Sequence, residues 1–164
     1  MGTEFKISKG HHLLALLGTT LNALLKARKK ELETSGITIA QSWALWGLNV
    51  MGEPLTVAEI SQFIDRDHLT TSQLLKRMEK DGLIVRKKGP QNSSPVKIIT
   101  TEKGKDILHH AYDRHALLDE IADSLSPDEL RNLSSYLQKL RENAIGKAAV
   151  HSSLRTTRTV ELGI

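Results

Sequence analysis

TTSQLLKRMEKDGLIVRKKG, Thr70 to Gly89, decides how the rest of the chain reads. At helical spacing Leu74, Leu75 and Met78 fall on one stripe and Thr71 joins them, whereas Thr70, Ser72, Gln73, Lys76, Arg77 and Lys80 fall mostly on the other side. Leu69, at the start, either faces outward or packs. Asp81-Gly82 stops the helix, since a glycine just past the last turn readily takes the left-handed conformation. Beyond it, Leu83-Ile84-Val85 and Val96-Lys97-Ile98-Ile99 have the β-branched and aliphatic composition of strands. Gly-Pro-Gln-Asn-Ser-Ser-Pro between them is too long and proline-rich for a tight turn, so a projecting hairpin is expected.

Upstream, Asp67 is placed to cap this helix. Before it, Thr56-Val-Ala-Glu59 has capping-box spacing and opens a short helix with Val57, Ile60, Phe63 and Ile64 on its apolar side. Thr38-Ile-Ala-Gln41 repeats the pattern and opens a helix to about Val50, ended by Gly52 and Pro54. The first long helix spans about Gly10 to Glu33, with Leu14, Leu17, Leu21, Leu24, Leu25 and Leu32 recurring near helical spacing. Downstream, periodicity resumes from Glu102 to Ser124. Ser126-Pro-Asp-Glu129 then starts a last long helix through about Asn143. No internal repeat is present.

The whole chain, 164 residues with 39% apolar residues, has the size and composition of one folded unit. Its net charge is only +4, but between Lys76 and Lys105 nine Lys/Arg face three acids. That region therefore carries +6 and the remainder −2. Such regional charge suits a polyanion, because phosphate contacts release counterions; a solvated basic face is the bland reading. The absence of cysteine excludes disulfides, thiolate metal sites and thiol nucleophiles. No apolar run is long enough for a membrane span and no leader pattern opens the chain, so a cytoplasmic protein is expected.

The order helix, helix, short helix, turn, polar-faced helix, basic hairpin, long helix, long helix is that of a winged helix-turn-helix. The fold class expected is mainly α with a small β-hairpin wing and long N- and C-terminal dimerisation helices. On this reading the polar helix lies in a major groove of double-stranded DNA, with Thr70, Ser72, Gln73, Lys76 and Arg77 toward base edges and phosphates. Arg86, Lys87, Lys88 and Lys97 on the hairpin flank the neighbouring backbone.

With those elements in place, LTVAEISQFIDRDHLTTSQLLKRMEKDGLIVRKKG followed by IITTEKGKDIL resembles the MarR family of bacterial transcriptional regulators. RMEKDGLIVR and TTEKGKDIL are similar to the end of that family's recognition helix and the start of its post-wing helix. The resemblance implies a triangular homodimer joined through the first and the last two helices, often with a small ligand in the crevice between the dimer and DNA-binding lobes. One departure stands out: GPQNSSPVK replaces the family's Asp-x-Arg-Arg wing segment, leaving Lys87, Lys88 and Lys97 as phosphate contacts. The organisation expected is an N-terminal dimerisation helix over 1–36, a winged helix-turn-helix over 37–101, and C-terminal dimerisation helices with a tail over 102–164. The expected activity is that of a sequence-specific repressor, a homodimer on a pseudo-palindromic operator, released by a small aromatic ligand. The alternative is a winged helix that contacts protein or RNA without operator specificity.

Trp43 and Trp46 lie three apart and share a face, which either packs into the core, the commoner fate, or walls the ligand crevice. His12 is a third candidate for that crevice. His109, His110, Asp113 and His115 include an i, i+4 pair, but without a second ligand pair no metal is expected. No Gly-rich phosphate loop or nucleophile elbow is present, so neither an enzyme nor a cofactor is expected.

Overall fold

The structure, a computed structural model, describes residues 8–88, 95–112 and 117–161. The chain divides into two units, residues 1–119 and 120–164. The first contains α1 (Lys9–Leu32), a 3-10 turn (Glu33–Ser35), α2 (Ile39–Met51), β1 (Leu55–Thr56), α3 (Val57–Phe63), α4 (His68–Lys80), β2 (Ile84–Lys87), β3 (Lys97–Thr100) and α5 (Glu102–Tyr112). The short α6 (Leu117–Ala122) crosses the division, and α7 (Pro127–Glu161) lies in the second unit.

Both capping boxes form: the Thr38 and Thr56 hydroxyls accept from the amides of Gln41 and Glu59, whose side chains accept in return from the threonine amides. Asp67 caps α4 by accepting from the Thr70 amide at 2.8 Å. At the other end of α4 the Leu83 amide donates to the Met78 carbonyl and the Gly82 amide to that of Glu79, with Gly82 at φ +72°. This is the Schellman arrangement, and it explains why β2 begins at Ile84 rather than Leu83: the Leu83 amide is already spent on the helix end.

The sheet is antiparallel in the order β1-β3-β2, with Leu55 opposite Ile98 and Arg86 opposite Ile98 on the other side. The two-residue β1 escapes a reading by periodicity because two residues carry no period. In β3, Ile98 and Thr100 point inward while Lys97 and Ile99 are less buried, the alternation a pleat imposes. Ile84 and Ile98 join Leu45, Leu48, Ile60, Leu75 and Met78 in the core, each no more than 1% exposed.

Three boundaries differ from expectation. The single helix expected over 102–124 is two helices, with residues 113–116 outside those described. α7 continues to Glu161 instead of ending near Asn143; residues 147–161 contain neither Gly nor Pro, so nothing in the backbone breaks the helix once its apolar stripe fades. The wing loop falls on residues 89–94, also outside those described. Among the described residues no helix is long and apolar enough to cross a membrane.

Gly104 in the first turn of α5 sits directly against β2's approach: a Cβ there would lie 2.2 Å from the Leu83 carbonyl oxygen. Because that neighbour is backbone, Gly104→Ala is expected to cost about 1–3 kcal/mol, read as a lower urea midpoint.

Three capping carboxylates also make stability acid-sensitive. Hydrogen bonds from the Thr56 amide and hydroxyl, and secondarily the nearby Lys97 charge, hold Glu59 below its ordinary 4.5. The Ser126 hydroxyl and amide do the same for Glu129, and those of Thr70 lower Asp67 from 3.8. A carboxyl lowered in the folded state contributes stability above its unfolded value and loses it as pH falls through the folded one. Urea titrations at pH 7 and pH 3 should therefore show a larger acid loss for the parent than for the triple variant Glu59→Gln, Asp67→Asn, Glu129→Gln.

Candidate nucleic-acid interface and effector cavity

α3 and α4 are joined by Ile64–Asp67, a turn in which Asp65 takes φ 51° and the Arg66 amide donates to the Ser61 carbonyl. α4 is anchored by Thr71, Leu74, Leu75 and Met78, all buried. Thr71 has no exposed surface and satisfies its hydroxyl by donating to the Asp67 carbonyl at 2.9 Å. The opposite face carries Gln73, Lys76 and Arg77, all exposed, with Thr70 and Ser72 half-buried beside them. Leu69 is 69% exposed, so of its two readings the outward one holds.

The wing cations divide into two kinds. Lys87 and Lys88 are exposed. Lys87 lies opposite Lys97 across the β2–β3 ladder, a like-charge juxtaposition that costs stability, and Lys97 has the Glu59 carboxylate at 3.9 Å. Arg86, also expected to flank the DNA backbone, has partners within the fold. Its Nη2 donates to the Ser72 carbonyl at 3.2 Å and its Nε lies 3.1 Å from the Glu79 carboxylate, so it ties β2 to α4. The reason is register: in β2 the side chain of Arg86 turns toward α4, whereas Lys87 alternates away from it.

The carboxyl end of α4 is held from two sides. Gln41 of α2 donates to the Asp81 carboxylate at 3.2 Å, and Lys103 of α5 donates to the Asp81 carbonyl at 2.8 Å. Thr101 donates to the Gly82 carbonyl at 2.7 Å while accepting from the Gly104 amide, so one hydroxyl fixes both the end of α4 and the start of α5.

Trp43 and Trp46 are not core residues: they are 44% and 41% exposed and wall a cavity of about 370 Å³. Leu21, Leu24 and Leu25 of α1 form the facing wall, and Tyr112 of α5 with Leu118 of α6 close one side. Trp46 also packs on Phe63 of α3, ring centroids 5.3 Å apart. His12 is not among the lining residues. It lies in the exposed first turn of α1, about 13 Å along the helix axis from Leu21 at 1.5 Å per residue.

Sequence reading missed Arg28, which is 6% exposed and lines the same cavity. A signal existed: Leu21, Leu24, Leu25 and Arg28 stand at i, i+3, i+4 and i+7, so a cation interrupts an apolar stripe. Among the described residues no group of three metal-ligating side chains occurs; Asp113 and His115 fall outside them.

Residues 35–92 match the model of the MarR family. The chain is 32% identical over 132 residues to the organic hydroperoxide resistance transcriptional regulator of Bacillus subtilis (strain 168), spanning 80% of this chain and 88% of that protein. An organohalide-sensing transcriptional regulator, solved in its 2,4-dichlorophenol-bound form, is 26% identical with a TM-score of 0.74, covering 87% of this chain and 86% of that one. A mutant MarR from E. coli, solved with operator DNA, shares the fold at TM-score 0.69 and 22% identity, covering 77% and 92%. A capped helix-turn-helix, a basic wing and this likeness along most of the chain agree: the protein belongs to the MarR family of DNA-binding transcriptional regulators, not to the enzymes.

Proposed function

We propose that the protein is a homodimeric repressor that reads a pseudo-palindromic operator through α4 and leaves it when a small aromatic molecule enters the cavity beside Trp43 and Trp46. The observation that carries the reading is the outward face of α4: Gln73, Lys76 and Arg77 are exposed together while the opposite stripe is buried. Gln73 and Arg77 stand one turn apart, the spacing that lets two side chains address neighbouring base edges. Lys87, Lys88 and Lys97 supply phosphate contacts. Arg86 serves by holding the wing to α4.

The homodimer is supported by apolar surface. Leu130, Leu133, Leu137 and Leu140 of α7 repeat at three- and four-residue steps and are each at least 40% exposed. Leu13, Leu14, Leu16 and Leu21 of α1 are likewise uncovered. Stripes of this period are the seams through which helices associate. A ligand-released mode is supported by the cavity and by the 2,4-dichlorophenol bound to the organohalide-sensing relative. The Bacillus subtilis relative is named for organic hydroperoxide resistance, but a chain without cysteine has no thiol for a peroxide to oxidise. Reversible ligand binding fits these residues better.

Light scattering is expected to return about twice the 18.2 kDa chain mass across a wide concentration range, since obligate interfaces of this kind bury more than about 2,000 Å². A concentration-independent monomer would remove the dimer and the palindrome with it.

DNA fragments selected from a random pool should contain half-sites about 34–36 Å apart. On that site Gln73→Ala and Arg77→Ala should each cost about 1–3 kcal/mol and relax preference at particular base pairs. Lys87→Ala and Lys88→Ala should weaken cognate and scrambled duplexes alike, lowering the salt slope by about 0.9 per lost contact. If only the lysine variants lose affinity, α4 does not read sequence.

A further inference from the structure

Every apolar side chain of α4 is buried except one: Leu74, Leu75 and Met78 are in the core, while Leu69 is 69% exposed. Leu69 does not stand at the border of the buried stripe, where a leucine half out of solvent is common. At about 100° per residue, the nine positions from Leu69 to Met78 carry it about 180° round the axis, onto the middle of the outward face. Gln73, one turn on, and Lys76, two turns on, fall on either side of that line and are exposed as well.

The first turn that carries Leu69 is tied to Asp67 twice. The Asp67 carboxylate accepts from the Thr70 amide at 2.8 Å, and the Thr71 hydroxyl donates to the Asp67 carbonyl at 2.9 Å. A side chain with neither donor nor acceptor thus stands at a fixed place among the polar groups of the outward face.

We infer that Leu69 is a specificity-determining residue of α4, and that it reads the C5-methyl group of a thymine in the major groove. The inference rests on the reading of α4 as the helix that enters that groove, and it adds an apolar contact to the hydrogen-bonding ones. The thymine methyl is the one apolar group in the pattern of donors and acceptors that base pairs present there. A leucine pressed over a donor or acceptor strips its water and returns no bond, whereas over a methyl group both apolar surfaces leave water together. The amino-terminal turn of a recognition helix is also the part that reaches base edges. With a rise of about 1.5 Å per residue, Leu69 lies about 6 Å along the axis from Gln73, less than two base-pair steps of about 3.4 Å. The thymine is therefore expected within about two base pairs of the adenine whose N6 and N7 a glutamine pairs with. A cytosine in its place lacks the methyl group and turns an N4 donor toward the leucine, so that pair is rejected.

The test uses the duplex that the full chain enriches from a random pool, with each thymine in turn replaced by deoxyuridine. That change removes the methyl group and leaves the hydrogen-bonding groups of the base in place. Fluorescence anisotropy at low ionic strength, where phosphate contacts keep binding measurable, should find one thymine per half-site whose replacement weakens the parent about fourfold, the worth of one buried methyl group. Replacing it in both half-sites should cost about sixteenfold, the two sites being far enough apart to add. Leu69→Ala should bind the thymine and deoxyuridine duplexes alike at that position, and Leu69→Met, equally apolar, should keep part of the discrimination. Because Leu69 is exposed, neither variant removes core packing, which parent-like circular dichroism checks. If the parent tolerates every deoxyuridine, if the enriched sequence holds no thymine, or if Leu69→Ala discriminates as the parent does, the inference is wrong. Gln73→Ala and Arg77→Ala, measured in the same series, separate the two readings. Where they relax base preference while no deoxyuridine matters, α4 reads sequence without Leu69; where the pool yields no enriched sequence at all, both readings fail.

Discussion

The outward face of α4 depends on the burial of its opposite stripe. Thr71, Leu74, Leu75 and Met78 leave solvent almost completely, and each buried aliphatic side chain of that size contributes about 1.5–3 kcal/mol. The burial fixes the rotation of the helix about its own axis. With 3.6 residues per turn, a helix pinned along one stripe has no choice about which residues it turns outward, so Gln73, Lys76 and Arg77 are presented because Leu74, Leu75 and Met78 are not. The bonds at the helix ends then fix its position along the axis: Asp67 at the start, the Schellman turn and the Gln41–Asp81 bond at the finish.

This division between rotation and position shows which parts the amino-acid pattern made legible. Capping boxes at Thr38 and Thr56, the stop at Gly82 and the inward stripe of α4 are local: they depend on residues within four positions, and all were read at their places. The contacts of Arg86 within the fold were not legible, for the opposite reason. Its partners, Ser72 and Glu79, lie 14 and 7 residues away on another element, and only the strand register reveals that Arg86 turns toward them. Trp43 and Trp46 were ambiguous because a shared helical face says nothing of what lies opposite. The facing wall belongs to α1, whose nearest lining residue, Arg28, is 15 positions from Trp43. His12 shares a helix with the lining residues but lies about two and a half turns before the first of them, Leu21.

Arg28 shows how a buried charge is read in this fold. A cation on a leucine stripe is ordinarily a surface residue whose helix has been phased wrongly, or a member of a buried pair. Glu31 three residues on satisfies the second account only in part, since a guanidinium has five donors and one carboxylate cannot match them. The Ala111 carbonyl takes a further one. Chain packing alone does not demand so demanding a group here, for methionine or leucine would fill the volume without the desolvation penalty. Sequence alone could flag the position, yet Nη2, buried and without a hydrogen-bond partner among the described residues, is visible only once α5 and α6 have folded over it.

α2 joins these two regions. Its amino end holds the recognition helix through Gln41 and Asp81, its buried side contributes Leu45 and Leu48 to the core under α4, and its exposed side carries both cavity tryptophans. Trp46 lines the cavity and also packs on Phe63 of α3, the first helix of the helix-turn-helix pair. Close-packed interiors transmit small displacements because they lack the free volume to absorb them. The cavity and α4 are joined through one helix, α2, and two contacts, Trp46 on Phe63 and Gln41 on Asp81, in an interior of this packing.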